Sequence, residues 1–339
     1  RAAQVLGWVY RQGVIDPQHM TNLPQADRQT LSQRLRFTTA RIVRHQIATD
    51  GTQKLLMDWR PEPASPPQQA LPVLSEPSSR GQTECVMIPA LRGRERRTAC
   101  VSSQIGCPVG CRFCASGLDG LEGNLTAGQI VEQVWRLGQL PDAGRITHVV
   151  FMGMGEPLAN FAQVTRAIRM LMADWGLGIS GRRITLSTVG LPAQIRRLAD
   201  LNLPITLAIS LHAPDDDLRR RLIPWAQHVS IQQIIDAGRY YFDRTSREVT
   251  LEYILLRNVN DRPQHARQLA QVARLLRSNV NLIRYNEVRS LPFDRPTADD
   301  VRRFQQTLRQ AGVNVHIRAS RGRDIAAACG QLRHQTAGR

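Results

Sequence analysis

The chain has 339 residues, room for one large domain plus a small one, and its 42% hydrophobic content is enough to fill a core. No apolar run approaches the length of a membrane span and no signal-peptide pattern is present, which argues against membrane and secreted classes. The formal charge is +17 and Lys54 is the only lysine, so Arg carries the positive charge. Arg is the better phosphate fork and base-stacking partner, and the balance favours a polyanion partner, although a GC-rich genome produces the same bias.

Arg1 opens inside a helical pattern with no initiator Met, so residues upstream are expected. Residues 1–60 read as a small basic module: a helix with Val5, Leu6 and Val9 on one face, a second helix over 31–42, a turn at 49–52 and a strand over 54–59. Arg34, Arg36, Arg41 and Arg44 suit an RNA-holding accessory domain, or simply a solvated helix face. Residues 61–83 are rich in Pro, Ser and Gln and read as a flexible insertion; 84–89 is the returning strand.

From 84 to 339 the expectation is one large unit. Short β-branched runs at 98–103, 146–152, 183–187, 205–211, 249–256, 280–285 and 313–317 alternate with helical runs at 127–137, 161–173, 231–242, 266–276 and 298–310. That alternation predicts an α/β fold with a parallel sheet. No G-x-G-x-x-G follows a strand, so a complete or partial (βα) barrel is preferred over a doubly wound sheet. A barrel places its site at the C-terminal ends of the strands.

Cys107, Cys111 and Cys114 are spaced C-x3-C-x2-C. Three thiolates leave one iron of a four-iron cluster without a protein ligand, and an open metal position marks a catalytic site. A structural zinc site would want paired C-x2-C knuckles or spaced histidines, and disulfides would suit a smaller secreted scaffold. The cysteines therefore read as reduced ligands in a reducing cytoplasm. The spacing resembles the cluster loop of radical S-adenosylmethionine (SAM) enzymes, in which the open iron chelates the methionine part of SAM.

Further polar groups fall at strand ends. Gly153-Met-Gly-Glu156-Pro157 offers close backbone approach and a carboxylate for an ammonium, or a capped turn. Ser187, Ser210 and Asn286 place small polar side chains at the same rim, and a lone His212 is more often structural than catalytic.

The resemblance becomes specific over several strings: Cys100-Val-Ser-Ser-Gln-Ile-Gly-Cys107, Asn124-Leu-Thr126, Met152-Gly-Met-Gly-Glu-Pro-Leu158, Leu186-Ser-Thr188, Ala208-Ile-Ser-Leu-His-Ala-Pro214 and Arg321-Gly-Arg-Asp-Ile-Ala-Ala-Ala-Cys-Gly-Gln-Leu332. Together they resemble the radical-SAM adenosine methyltransferases of RNA. The RlmN type of that family methylates C2 of an adenosine in the peptidyl-transferase centre of 23S rRNA and in tRNAs; the Cfr type methylates C8 and confers antibiotic resistance. The flanks of the cluster loop copy neither type, so C2 is preferred only as the commoner activity. A radical-SAM enzyme acting on a non-RNA substrate is the lesser alternative.

The resemblance implies a [4Fe–4S] cluster on Cys107, Cys111 and Cys114, and a SAM site lined by Gly155, Glu156, Ser187, Ser210, Leu211, His212 and Asn286. It also implies two SAM per turnover, a methyl-carrying Cys329, a resolving Cys100 that forms a transient disulfide with it, and Glu84 as proton acceptor. A flavodoxin- or ferredoxin-type donor, no membrane partner and a monomer are expected. The chemistry explains the extra cysteines: electron-poor adenine C2 will not attack the methyl of SAM, whereas a thiolate will. Taken alone, Cys100 would read as a small buried hydrophobe, and Cys85 reads as structural. Segments 61–81 and 90–97 depart from the family pattern, and the second weakens the reading of Glu84.

Overall fold

The computed structural model describes residues 1–60, 81–90 and 96–332. The insertion expected at 61–83 therefore falls mostly outside the described residues, as does the basic stretch 91–95. The strands are β1 (Arg41–Ile47), β2 (Gln53–Asp58), β3 (Gln82–Ile88), β4 (Thr98–Cys100), β5 (Gln104–Gly106), β6 (Leu121–Asn124), β7 (His148–Phe151), β8 (Ile184–Thr188), β9 (Thr206–Ser210), β10 (Val249–Leu255), β11 (Ser278–Arg284) and β12 (Val315–Arg318). The α-helices are α1 (Ala2–Gln12), α2 (Gln25–Arg34), α3 (Ala127–Gly138), α4 (Phe161–Met172), α5 (Pro192–Asp200), α6 (Asp216–Leu222), α7 (Ile231–Thr245), α8 (Pro263–Arg274) and α9 (Ala298–Gln310).

Ten strands form one sheet in the order β1-β2-β3-β4-β7-β8-β9-β10-β11-β12. From β4 to β12 every neighbouring pair is parallel, and β1 to β4 pair antiparallel. Among the described residues β1 and β12 remain the two edges, so this is a partial barrel with an antiparallel wing. The strands lie within a residue or two of the expected runs except β4, which ends at Cys100, three residues short of the run expected over 98–103. β10 is buried along its whole length, as a central parallel strand covered on both faces must be. The helices start on clear signals. Thr126 and Gln129 form a capping box for α3, Ser230 and Gln233 do so for α7, and Pro192 opens α5.

Two local expectations are corrected. The second N-terminal helix was expected over 31–42; α2 ends at Arg34 and residues 41–47 form β1. The Glu132 carboxylate of α3 accepts from the Thr39 and Ala40 amides at 2.8 and 3.1 Å, which holds the chain extended into a strand paired with β2. Local propensity yields here to a tertiary contact. The hairpin β5–β6 had no counterpart in the sequence reading, and it is what carries the cysteine loop. β1 and β2, read as part of the module 1–60, are hydrogen-bonded into the main sheet through β3. α1 is tied to α3 by the Trp135 indole, which donates to Val9 O at 2.8 Å.

Candidate active site

The loop bearing Cys107, Cys111 and Cys114 leaves the sheet after β4 and runs between β5 and β6. Its neck is closed by Cys107 N donating to Gly120 O at 2.8 Å. Gly106 has φ +74, and a Cβ there would lie 2.0 Å from that same Gly120 O, so only glycine lets the two sides meet. All three cysteines line one cavity of about 150 Å³ at the C-terminal ends of the parallel strands. Burial pushes the Cys107 thiol up to about 12 and also raises Cys111 and Cys114. Opposing this, backbone amides of Val109 and Gly155 aim at the Cys107 sulfur, and those of Ser116 and Gly117 at Cys114. Amide donors around buried sulfurs suit thiolates bound to iron, whose charge a metal would stabilise. Among the described residues no three His, Cys, Asp or Glu side chains are gathered as they would be around one metal ion. A four-iron cluster asks for a different geometry, one thiolate on each of three irons. The donor set fits the cluster.

The opposite wall of this cavity comes from the ends of β7 to β10. Gly155, Glu156, Ser187, Ser210 and His212 all line it. Gly155 has φ +101, and a Cβ on it would sit 2.7 Å from Gln104 Cβ, so the turn is pressed against β5. Glu156 is buried; its carboxylate accepts from Leu158 N at 2.9 Å and Val189 N at 2.7 Å, and desolvation lifts its pKa to about 7. The capped-turn reading is thus realised, and the carboxylate still faces the cavity. Ser187 Oγ and Ser210 Oγ are 3.3 Å apart on adjacent strands. His212 Nδ1 accepts from Ile254 N at 3.1 Å, and burial holds its pKa down to about 3, so it is a neutral structural imidazole at the rim. The Leu211 side chain is fully buried, and its amide donates to Glu252 O at 3.0 Å.

A second cavity of about 280 Å³ adjoins the first. Cys100, Asn286, Arg96 and Arg321 line it, and Met152, Ile283, Arg318 and Cys329 line both cavities. The fold thus brings Cys100 and Cys329 to one cavity across 229 positions of sequence. Asn286, expected among the SAM contacts, lies on the second cavity, and its amide donates to Cys329 O at 3.1 Å. Glu84 lines neither cavity. It shares the face of β3 with Val86, the partner of Cys100 across the ladder, and its carboxylate meets Lys54 Nζ at 2.8 Å. Cys85 points to the opposite face, into the main core, with its sulfur 3.5 Å from Met57 Sδ.

Three charged residues of the site escaped the sequence reading. Arg219, in the run Arg219-Arg-Arg221, looks like a solvated helix face, yet it is fully buried and donates to Leu211 O at 3.2 Å and Val189 O at 2.5 Å. It is a cation beneath the cluster loop, and its field opposes the rise of the Cys111 thiol. Glu252 sits inside β10, where alternation alone gives no reason to prefer function over packing, and Arg318 ends β12, one residue past the expected run.

Residues 101–270 match the model of the radical SAM superfamily, and residues 1–36 match that of the ribosomal RNA large subunit methyltransferase N-terminal domain. A protein of Rhodopirellula baltica named "Probable dual-specificity RNA methyltransferase RlmN" is 43% identical over 98% of this chain and 84% of its own length. One of the same name from Thermosynechococcus vestitus is 44% identical over 98% of this chain and 91% of its own. This chain belongs to the RlmN-type radical-SAM RNA methyltransferases. A solved radical SAM methyltransferase from Sphaerobacter thermophilus superposes with a TM-score of 0.88 at 41% identity, covering 98% of this chain and 92% of that one. The RlmN-type N-terminal match ends at 36, just before the extended segment that enters β1. Among the described residues no helix is long and apolar enough to cross a membrane.

Proposed function

We propose that this enzyme methylates C2 of an adenosine in 23S rRNA and in tRNA, with Cys329 as the methyl carrier. The observation behind this reading is the place of Cys329, on the boundary between a cavity walled by Cys107, Cys111 and Cys114 and a cavity walled by Cys100. A thiol in that position can meet SAM on one side and a base on the other. When bound, the cluster and SAM supply a 5′-deoxyadenosyl radical, the agent that takes hydrogen from an S-methyl group.

The chain's own residues do the rest. The Cys329 thiolate attacks the methyl of a first SAM; a sulfur–carbon bond forms, and the sulfonium keeps the electron pair of the bond that breaks. Two SAM are therefore used per turnover. Glu156 offers its carboxylate to the ammonium of SAM, with Gly155, Ser187, Ser210, Leu211 and His212 shaping the site. Asn286 serves it from the Cys329 side, by fixing that residue's carbonyl. Cys100 later frees the RNA by attacking the Cys329 sulfur, which leaves a disulfide. Glu84 is the proposed proton acceptor, its carboxylate held beside Lys54 Nζ at 2.8 Å.

Arg96 and Arg321, which line the second cavity, the latter 3.6 Å from Asp50, suit RNA phosphates beside an adenosine turned out of its stack. The module 1–60 is the proposed additional RNA grip. A flavodoxin- or ferredoxin-type donor, a monomeric state and a reducing cytoplasm complete the proposal.

The test is mass spectrometry of nucleosides from rRNA and tRNA after anaerobic incubation with reconstituted protein, reductant and SAM. 2-Methyladenosine is expected. 8-Methyladenosine would move the activity to the Cfr type, and neither product, with 5′-deoxyadenosine still formed, would overturn the RNA reading.

A further inference from the structure

Arg318 ends β12 and lines both cavities. Its guanidinium lies 3.9 Å from Glu252 Oε2, and Nη1 lies 2.9 Å from Met152 Sδ. Glu252 is itself buried on β10. Its Oε1 accepts from Asn281 Nδ2 at 3.0 Å, while Oε2 has no hydrogen-bond partner. The carboxylate is buried, whereas the guanidinium side chain keeps 26% of its surface exposed and meets Glu252 only at 3.9 Å, so much of its charge is left to face the cavities it lines. The sulfurs of Cys100 and Cys329 line the second cavity together with it.

We propose that Arg318 is the positioning cation of the Cys100 thiolate, anchored by Glu252 and Asn281 so that its positive charge faces the site of disulfide formation. This rests on the reading of Cys329 as methyl carrier. In the releasing step the Cys100 thiolate forms the S–S bond. The electron pair of the Cys329 S–C bond goes to the carbon on the base, which takes up a proton. The carbon is reduced and the two sulfurs are oxidised.

Electrostatics agrees with the geometry. Burial pushes the Cys100 thiol up to about 12, Cys329 raises it further and Arg318 opposes both. Arg318 is held in its charged form first by Cys329 and then, against desolvation, by Glu252 and Cys100. The charged and titratable groups around the Cys100 sulfur are Cys329 on the C-terminal arm, Arg318 on β12 with Glu252 behind it on β10, Cys85 on the neighbouring β3, and Arg96 and Arg321, which line the same cavity. Arg318 is the cation that couples to it.

The test needs no turnover. In the Cys329→Ala background, Cys100 alkylation by iodoacetamide is followed by peptide mass spectrometry across pH, with and without Arg318→Met. The expected result is a raised midpoint, with alkylation at neutral pH at least roughly tenfold slower, the effect of removing an opposite charge from beside a thiol. An unchanged midpoint overturns the proposal. So does faster alkylation, the result of merely loosening the cavity. Should Arg318→Met not fold, Arg318→Gln takes its place with the same expected slowing, and Arg318→Lys, which keeps a cation, is expected to recover part of the rate; an unchanged or faster rate in Arg318→Gln overturns the proposal. The methyl-carrier reading fails separately, if Cys329→Ala still methylates RNA.

Discussion

Gly155→Ala tests whether the turn between β7 and the Glu156 carboxylate is as tightly fixed as its surroundings imply. Gly155 has φ +101, and an added Cβ would lie 2.7 Å from Gln104 Cβ, 2.8 Å from Ser103 Oγ and 2.9 Å from Gln104 Cγ. Ser103 Oγ makes no hydrogen bond and can turn away, but Gln104 Cβ and Cγ are not the free end of a side chain. Gln104 is pinned at its own tip, where Oε1 accepts from Glu156 N and Nε2 donates to Asn124 Oδ1, each at 2.8 Å. The unfavourable backbone region costs about 1–3 kcal/mol and the overpacking a similar amount, together roughly 2–6 kcal/mol. Gly155 also donates toward the Cys107 sulfur, so any relief by moving the turn disturbs both walls of the cavity. The assay is chemical denaturation with calorimetric SAM binding to the reconstituted protein, and Gly128→Ala serves as control. A Cβ at Gly128 in α3 meets nothing nearer than Thr126 Oγ1 at 4.0 Å, so that variant should gain up to about 1 kcal/mol. Gly155→Ala should lose several kcal/mol and bind SAM at least about tenfold more weakly, each unit of pK-scale affinity being 1.4 kcal/mol. Wild-type stability with wild-type binding would refute the close-approach argument.

Cys107→Ala, reconstituted anaerobically with iron and sulfide, is expected to lose the brown colour of the cluster; retained colour would refute ligation. Cys100→Ala should accumulate protein covalently joined to RNA, read as a shifted band that nuclease removes, and finding only free, unmodified RNA would count against the resolving role. Burial holds the His212 imidazole down to about 3, so its contribution to stability is fully present above its unfolded value near 6.5 and is lost as pH falls toward 3. Between pH 6.5 and 4.5 it should remove about 1.4 kcal/mol per pH unit, and His212→Gln should flatten that slope in urea titrations; identical slopes would show that other groups set the acid sensitivity.

The parallel strands were legible because each carries its own signal, a short β-branched run ended by a polar or glycine-rich turn, and β10 is apolar enough to be read unaided. The cysteine loop was legible from spacing, because ligand geometry restricts sequence directly. What escaped was set by contacts distant in sequence. β1 is extended because Glu132 accepts two amides 92 and 93 positions away. Arg219 is buried because two carbonyls at the ends of β8 and β9 need a donor, and the run Arg219-Arg-Arg221 gives no hint of it. Asn286 ends a barrel strand and the resemblance put it among the SAM contacts; its amide is turned toward the backbone of the C-terminal arm. Sequence placed Asn286 at the rim and left open which cavity it would face.

That arm, residues 319–332, explains how a thiol can serve two cavities. It holds only one short helical turn, Arg323–Ile325, and takes its place from bonds donated or accepted by separate elements. Asp50 accepts from Gly322 N at 3.1 Å, Lys54 donates to Ala326 O at 3.2 Å, Ala115 N to Gly330 O at 2.8 Å and Ser116 Oγ to Leu332 O at 2.6 Å. The last two come from the cluster loop and the first two from the turn into β2 and from β2 itself, so the arm bridges the metal side and the antiparallel wing. Apolar packing adds to these bonds, since Ala327 and Leu332, on either side of Cys329, are buried against Val86, Cys100 and Val150. The other members of the site are on strands and their immediate turns; the sulfur proposed to meet more than one partner is on the arm.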